Sequence, residues 1–176
     1  LITVSLGDER GDRLARARQA ITQGKDRQAI SDLEWLVKNS RSRAEGEEGA
    51  VLLIESALRL GDWKKAEAQI ERFQIYNTKS IHYSRVEWAQ ARLMLKNGEL
   101  LNSALLMSRL LSRPLSAELR SEIRVQFQRL LDSGLLGQLE LETLLNHSVA
   151  DVQLSGELLF RLANVFEKEE RWKGAT

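Results

Sequence analysis

Four glycines punctuate this chain at near-constant spacing. Gly24, Gly61, Gly98 and Gly134 lie 37, 37 and 36 residues apart, and Glu170 falls 36 further on, in Lys168-Glu169-Glu170-Arg171-Trp172. The pattern is fullest around Gly61. Ile54-Glu55-Ser56-Ala57-Leu58-Arg59-Leu60 reads as one helix ending, and Asp62-Trp63-Lys64-Lys65-Ala66 as the next one starting. A glycine just past a helix takes the left-handed backbone that stops it. Recurrence at a fixed period of about 20–50 residues marks an array of small units. A helix pair of this size cannot bury its own apolar face, so neighbours must stack to make a core. The expected fold class is all-α.

Composition agrees. The 176 residues include one proline, 43% are apolar and 29% charged, with strong helix formers prominent. Aromatics make up 6%, too few for a β-sandwich core. The 26 basic and 25 acidic residues are interspersed and sum to +1, whereas a nucleic-acid binder gathers a basic excess on one face. No cysteine is present, which removes thiolate catalysis and Cys-type zinc sites and leaves cytosol and periplasm equally open. The longest apolar run, Leu100 to Leu111, is interrupted by Asn102, Ser103, Ser108 and Arg109. A membrane span needs about 20 mostly apolar residues, so this run is a core helix. The chain starts at Leu1 rather than Met and stops inside a repeat, as expected of a piece of a longer protein.

Residues 1–7 lack helical period and are expected to be a lead-in, followed by a repeat domain over 8–176. In the first hairpin Leu14, Ala17 and Ile21 form one stripe, then Ala29, Ile30, Leu33, Leu36 and Val37 the next. In the second, Ala50, Leu53, Ile54, Ala57 and Leu58 precede Gly61, Asp62 is placed to cap the following helix, and Ala66, Ile70 and Phe73 continue the stripe. The third offers Val86, Ala91, Met94 and Leu95, then the Leu100–Leu111 helix, which Pro114 terminates. The fourth has Ile123, Phe127, Leu130 and Leu131, then a shorter helix from about Leu136. The fifth has Leu158, Leu159, Leu162, Ala163 and Phe166, with a turn at Glu170 and a partner helix opening at Trp172.

These residues resemble the tetratricopeptide repeat family, whose hairpins set small residues at fixed offsets around a glycine turn. With the four glycines and Glu170 aligned, the position seven before reads Ala17, Ile54, Ala91, Phe127, Ala163. The position five after reads Ala29, Ala66, Ser103, Leu139, Ala175. Small residues there let two helices approach closely. The second repeat matches best. The third slips in phase near Ala104, and the fourth departs most, with Phe127 and Leu139 where small residues are expected. The resemblance implies a right-handed α-solenoid of about four and a half hairpins, truncated within the fifth. That truncation should leave one apolar surface of the last full helix uncovered.

The resemblance also implies that first helices of successive hairpins line a concave groove, at positions such as Leu14 and Arg18, Val51, Glu55 and Arg59, then Arg85, Trp88 and Arg92, then Arg124 and Gln128. Arg85, Trp88 and Arg92 fall on one helix face at i, i+3 and i+7. Guanidinium forks beside an aromatic ring suit a peptide carrying carboxylates, so Arg85, Trp88, Arg92, Arg124 and Gln128 are the candidate partner-binding residues. A second reading makes Trp88 core and pairs the arginines with nearby glutamates. The family's best-known clamp has lysine and asparagine at these positions; here they read Arg18, Glu55, Arg92 and Gln128, so its chaperone-tail specificity does not carry over. His82 and His147 lack metal-pair spacing, and no P-loop, nucleophile elbow or dinucleotide fingerprint occurs. The expectation is a non-catalytic module with no cofactor that binds a protein or peptide and no nucleic acid. The alternative is a structural spacer or self-association element of a larger protein, such as a bacterial envelope component, joining through exposed terminal repeats.

Overall fold

The computed structural model describes residues 6–40, 44–147 and 152–173, and among them the fold is all-α with no strand. The helices are α1 (Leu6–Thr22), α2 (Asp26–Asn39), α3 (Ala44–Leu60), α4 (Trp63–Tyr76), α5 (Tyr83–Lys96), α6 (Leu100–Leu111), α7 (Ala117–Asp132), α8 (Gln138–His147) and α9 (Val152–Lys173). The chain forms two compact units, residues 1–93 and 94–176, with the boundary inside α5.

All four glycines adopt positive φ: 71° at Gly24, 74° at Gly61, 82° at Gly98 and 66° at Gly134. The first three close their helices with the same pair of bonds. Each glycine N–H donates three residues back, to Ile21, Leu58 and Leu95, at 2.9, 3.3 and 3.2 Å. The next N–H, on Lys25, Asp62 and Glu99, donates five back, to Ala20, Ala57 and Met94, at 2.8, 2.9 and 2.9 Å. This is the Schellman closure, which satisfies carbonyls that the helix end leaves orphaned. The next helix begins two residues after each of these glycines.

The fourth turn is built differently. The Leu135 N–H meets the Ser133 hydroxyl at 3.2 Å, and that hydroxyl donates to the Leu130 carbonyl at 2.6 Å. A side chain thus sits inside the bond that the other three turns make directly. The following helix starts at Gln138, four residues after Gly134 rather than two. The extra two residues change which side chain faces inward: Ala29 and Ala66 are buried five after their glycines, but Leu139 is 72% exposed and Leu141 is buried instead.

In the first unit α1 packs on α2 and α3, α2 on α3, and α3 on α4. Leu14, Ala17, Leu33, Leu36, Leu53, Ile54, Ala57, Ile70 and Phe73 join one buried cluster. Asp62 caps α4 as expected, its carboxylate accepting the Lys65 N–H at 3.2 Å. In the second unit α6 packs on α7 and α8, and α8 on α9. Two arginines hold helix ends there. Arg120 donates to the Leu111 and Arg113 carbonyls, both at 2.7 Å, and Arg161 to the Leu131 carbonyl at 3.0 Å. These carbonyls lie where a helix leaves its acceptors unmatched, and a cation is favoured there.

Two expectations need correcting. Helix α1 begins at Leu6, inside the supposed lead-in. Helix α9 runs through Glu170 and Trp172 to Lys173 without a turn. Glu170 has no glycine to stop it, and Glu167-Lys168-Glu169-Glu170-Arg171 is a run of good helix formers. Of the apolar positions read on that helix, Leu158 and Leu162 are buried, while Leu159, Ala163 and Phe166 are exposed, so one apolar surface of the last helix is uncovered as expected.

Candidate functional site

The candidate partner-binding residues occupy quite different environments. Trp88 is 8% exposed, so its ring is not a surface platform. Arg85 is engaged with Glu55 through a forked contact, Nη2 to both carboxylate oxygens at 2.7 and 2.8 Å and Nε to Oε1 at 3.1 Å. Within the first unit, then, core packing and pairing with a glutamate account for Trp88 and Arg85. Arg92, half-buried on α5, makes no hydrogen bond or ion pair with the described residues. In the second unit Arg124 on α7 is exposed and likewise unpaired among the described residues. Gln128 is half-buried and donates to Asp132 at 3.2 Å.

The groove positions of α1 and α3 are spent the same way. Leu14 and Val51 are buried. Arg18 on α1 binds Glu48 on α3, its Nε 2.8 Å from Oε1. Glu55 on α3 binds Arg85 on α5. Arg18 and Glu55 are 37 residues apart, as are Glu48 and Arg85. The same two positions of successive repeats therefore carry the same bridge with its charges exchanged. Opposite signs at paired sites are what the Coulomb term requires, and it does not matter which helix carries which. Both bridges are partly solvated, so each contributes no more than about 1 kcal/mol.

A polar trio with a buried carboxylate and a buried hydroxyl lies elsewhere in the first unit. Asp26, the first residue of α2, accepts from Arg59 Nη2 at 2.7 Å and from its Nε at 3.1 Å, and Arg59 also reaches the Ser56 hydroxyl at 3.2 Å. Ser56 is fully buried and Asp26 is 8% exposed. The Arg59 guanidinium, helped by the Ser56 hydroxyl, holds the Asp26 carboxyl below the usual carboxylate range against the upward push of burial. Asp32 is held low in the same sense, by Arg16 first and Arg13 after it. Arg13 also bonds Glu9 and lies 4.4 Å above the Trp35 ring. Arg13, Arg16 and Arg18 of α1 are thus paired with carboxylates on α1, α2 and α3.

The reading that pairs the arginines with glutamates holds for Arg85, but the sequence reading named no partner for it. The signal was present as opposite charges 30 residues apart at 18/48 and 55/85, a separation that links equivalent helices of adjacent hairpins. Among the described residues no group of three His, Asp or Glu side chains could hold a metal ion. No helix among them is long and apolar enough to cross a membrane. A cleft in the first unit is lined by Val37, Gly46, Ala50, Arg72, Phe73 and Tyr76 among others.

No protein-family model matches the sequence, and no curated protein matches it either.

Proposed function

We propose that the chain is a non-catalytic protein-interaction module, an α-solenoid of stacked helical hairpins of the tetratricopeptide type, that holds a peptide or protein partner. The observation that supports this most is recurrence: glycines in the left-handed conformation at equivalent positions, three of them with the same pair of closing bonds. The charge-exchanged bridges Arg18–Glu48 and Glu55–Arg85 fall on the same register. Such hairpins are individually unstable and are useful as area rather than as a catalytic cavity.

The binding chemistry falls to the guanidiniums that the internal bridges leave over. Arg92 in the first unit and Arg124 in the second are each open to a carboxylate, which a planar fork holds with two parallel bonds. Arg85, Trp88 and Gln128 support these helices from within. An immobilised peptide array, half of it carrying Asp or Glu and half the matching Asn or Gln peptides, tests this. The wild-type chain is expected to retain acidic peptides preferentially, and Arg92→Glu with Arg124→Glu to lower that retention about tenfold, the loss of one or two charge-assisted bonds. Equal retention of acidic and amide peptides, or no change on charge reversal, would remove this reading.

A further inference from the structure

The turn glycines Gly24, Gly61 and Gly134 follow Gln23, Leu60 and Ser133, but Gly98 follows Asn97. No other asparagine in the chain precedes a glycine; the other five precede Ser40, Thr78, Ser103, His147 and Val165. Asparagine is one of the chemically labile side chains. Its amide carbon can be attacked by the backbone nitrogen of the next residue, which closes a cyclic imide. A side chain on that next residue crowds the approach, and glycine has none.

The fold leaves Asn97 open to this reaction. It is exposed just past the end of α5, and its side chain makes no hydrogen bond with the described residues. Asn39, by contrast, donates its amide to the Trp35 carbonyl at 2.8 Å, and Asn102 and Asn164 sit within the ladders of α6 and α9. At Gly98 an added Cβ would meet nothing within 4 Å, so no neighbour blocks the nitrogen. One restraint remains. The Gly98 N–H donates to the Leu95 carbonyl at 3.2 Å, and the Glu99 N–H to Met94 at 2.9 Å. The nitrogen can turn towards the Asn97 side chain only while this closure is open. A solvent-exposed helix end opens more readily than a packed core.

We propose that Asn97–Gly98 is a self-modification site that deamidates through transient opening of the turn ending α5. The Gly98 nitrogen gives up its proton to base and attacks Asn97 Cγ. A nitrogen–carbon bond forms, the bond from Cγ to the side-chain nitrogen breaks, and that nitrogen takes up a proton and leaves as ammonia. Water then opens the imide at either carbonyl, giving aspartate or isoaspartate. No electron is transferred, and water is the sole co-reactant. Either product is an anion, so conversion removes the chain's net positive charge of +1. It places that anion at the C-terminus of α5, where the helix macrodipole disfavours it. Isoaspartate also inserts a backbone carbon into the segment that closes the turn. The change runs one way and weakens the closure, so position 97 records how long the turn has spent open. This site does not depend on the carboxylate-anchoring reading.

The test holds the whole folded chain in mildly alkaline buffer and maps its peptides by mass spectrometry over time. Oxygen is expected in place of NH at position 97 before any of the other five asparagines changes, with aspartate and isoaspartate both present. On isoelectric focusing the aged chain should move below its starting point near 8.2. Asn97→Gln, whose longer side chain closes a larger and slower ring, should stay at that point. In unfolding urea, conversion at 97 should be faster than in buffer, because the closure no longer holds the Gly98 nitrogen. Asn97→Asp, made directly, should lower the folding equilibrium constant about two- to fivefold, the effect of an anion at a helix C-terminus. Conversion at 97 no faster than at the other asparagines, conversion in urea alone, or equal rates in urea and buffer would overturn the proposal.

Discussion

Phe73→Ala is expected to lower stability by about 3–5 kcal/mol, as for other fully buried aromatics cut to alanine. Phe73 is 1% exposed, on the inner face of α4, and belongs to the main buried cluster of the first unit. Its neighbours around the adjoining cleft are Val37 on α2 with Gly46 and Ala50 on α3. Gly46 and Ala50 are too small to swing into the vacated space, so the cavity stays largely open and the loss sits at the upper end. Against a typical total of about 5–15 kcal/mol, this one deletion removes a large fraction of what keeps the chain folded. Urea unfolding followed by circular dichroism measures it. Phe73→Leu, which keeps most of the volume, should recover more than half of the loss.

Gly49→Val should cost about 2–3 kcal/mol for the opposite reason, an excess of atoms. Gly49 sits where α3 crosses α2, and a Cβ placed on it would lie 3.0 Å from the Leu36 Cβ. That atom is fixed to the α2 backbone and Leu36 is fully buried, so relief requires the two helices to separate. Alanine would recover up to about 1 kcal/mol of helix propensity and mask part of the clash. Valine adds two rigid methyls and little propensity. Gly49→Val should therefore fall clearly below Gly49→Ala in urea midpoint. Equal midpoints would mean that α2 and α3 do not cross there.

The sequence spoke most clearly where a residue type has one physical use. Glycines at constant spacing announced the turns, because no other residue takes positive φ so cheaply, and all four adopt it. The apolar stripes of α1 to α4 were legible because 3.6-residue periodicity and burial are the same fact seen twice. Leu139 stood out as a departure from the pattern because spacing was counted from Gly134 as from the other glycines, and two additional turn residues move the inward position to Leu141. The turn placed at Glu170 rested on register alone, with no residue to enforce it, and α9 runs on through it.

Binding residues were harder to read, since arginine serves a partner and a neighbouring glutamate with the same guanidinium. Two readings stood open for Arg85 and Trp88, groove anchors or salt-bridged scaffold and core, because Glu55 is 30 residues away in sequence and a helical face alone does not say which side is inward. Arg92 and Arg124 were chosen by the same rule and are unpaired among the described residues, so the spacing did not separate paired from unpaired guanidiniums.

The central claim is a recurring left-handed glycine that ends one helix so that the next can fold back. It is tested most directly by one substitution, glycine to alanine, measured by urea unfolding at six positions. At Gly24, Gly61, Gly98 and Gly134, where φ lies between 66° and 82°, alanine should destabilise by about 1–2 kcal/mol, although an added Cβ would meet no atom closer than 3.9 Å. At Gly11 and Gly156, inside α1 and α9 with open space around them, the same change should stabilise by about 0.5–1 kcal/mol. Opposite signs for the two sets are the predicted result. Stabilisation at the four turn positions would contradict the account.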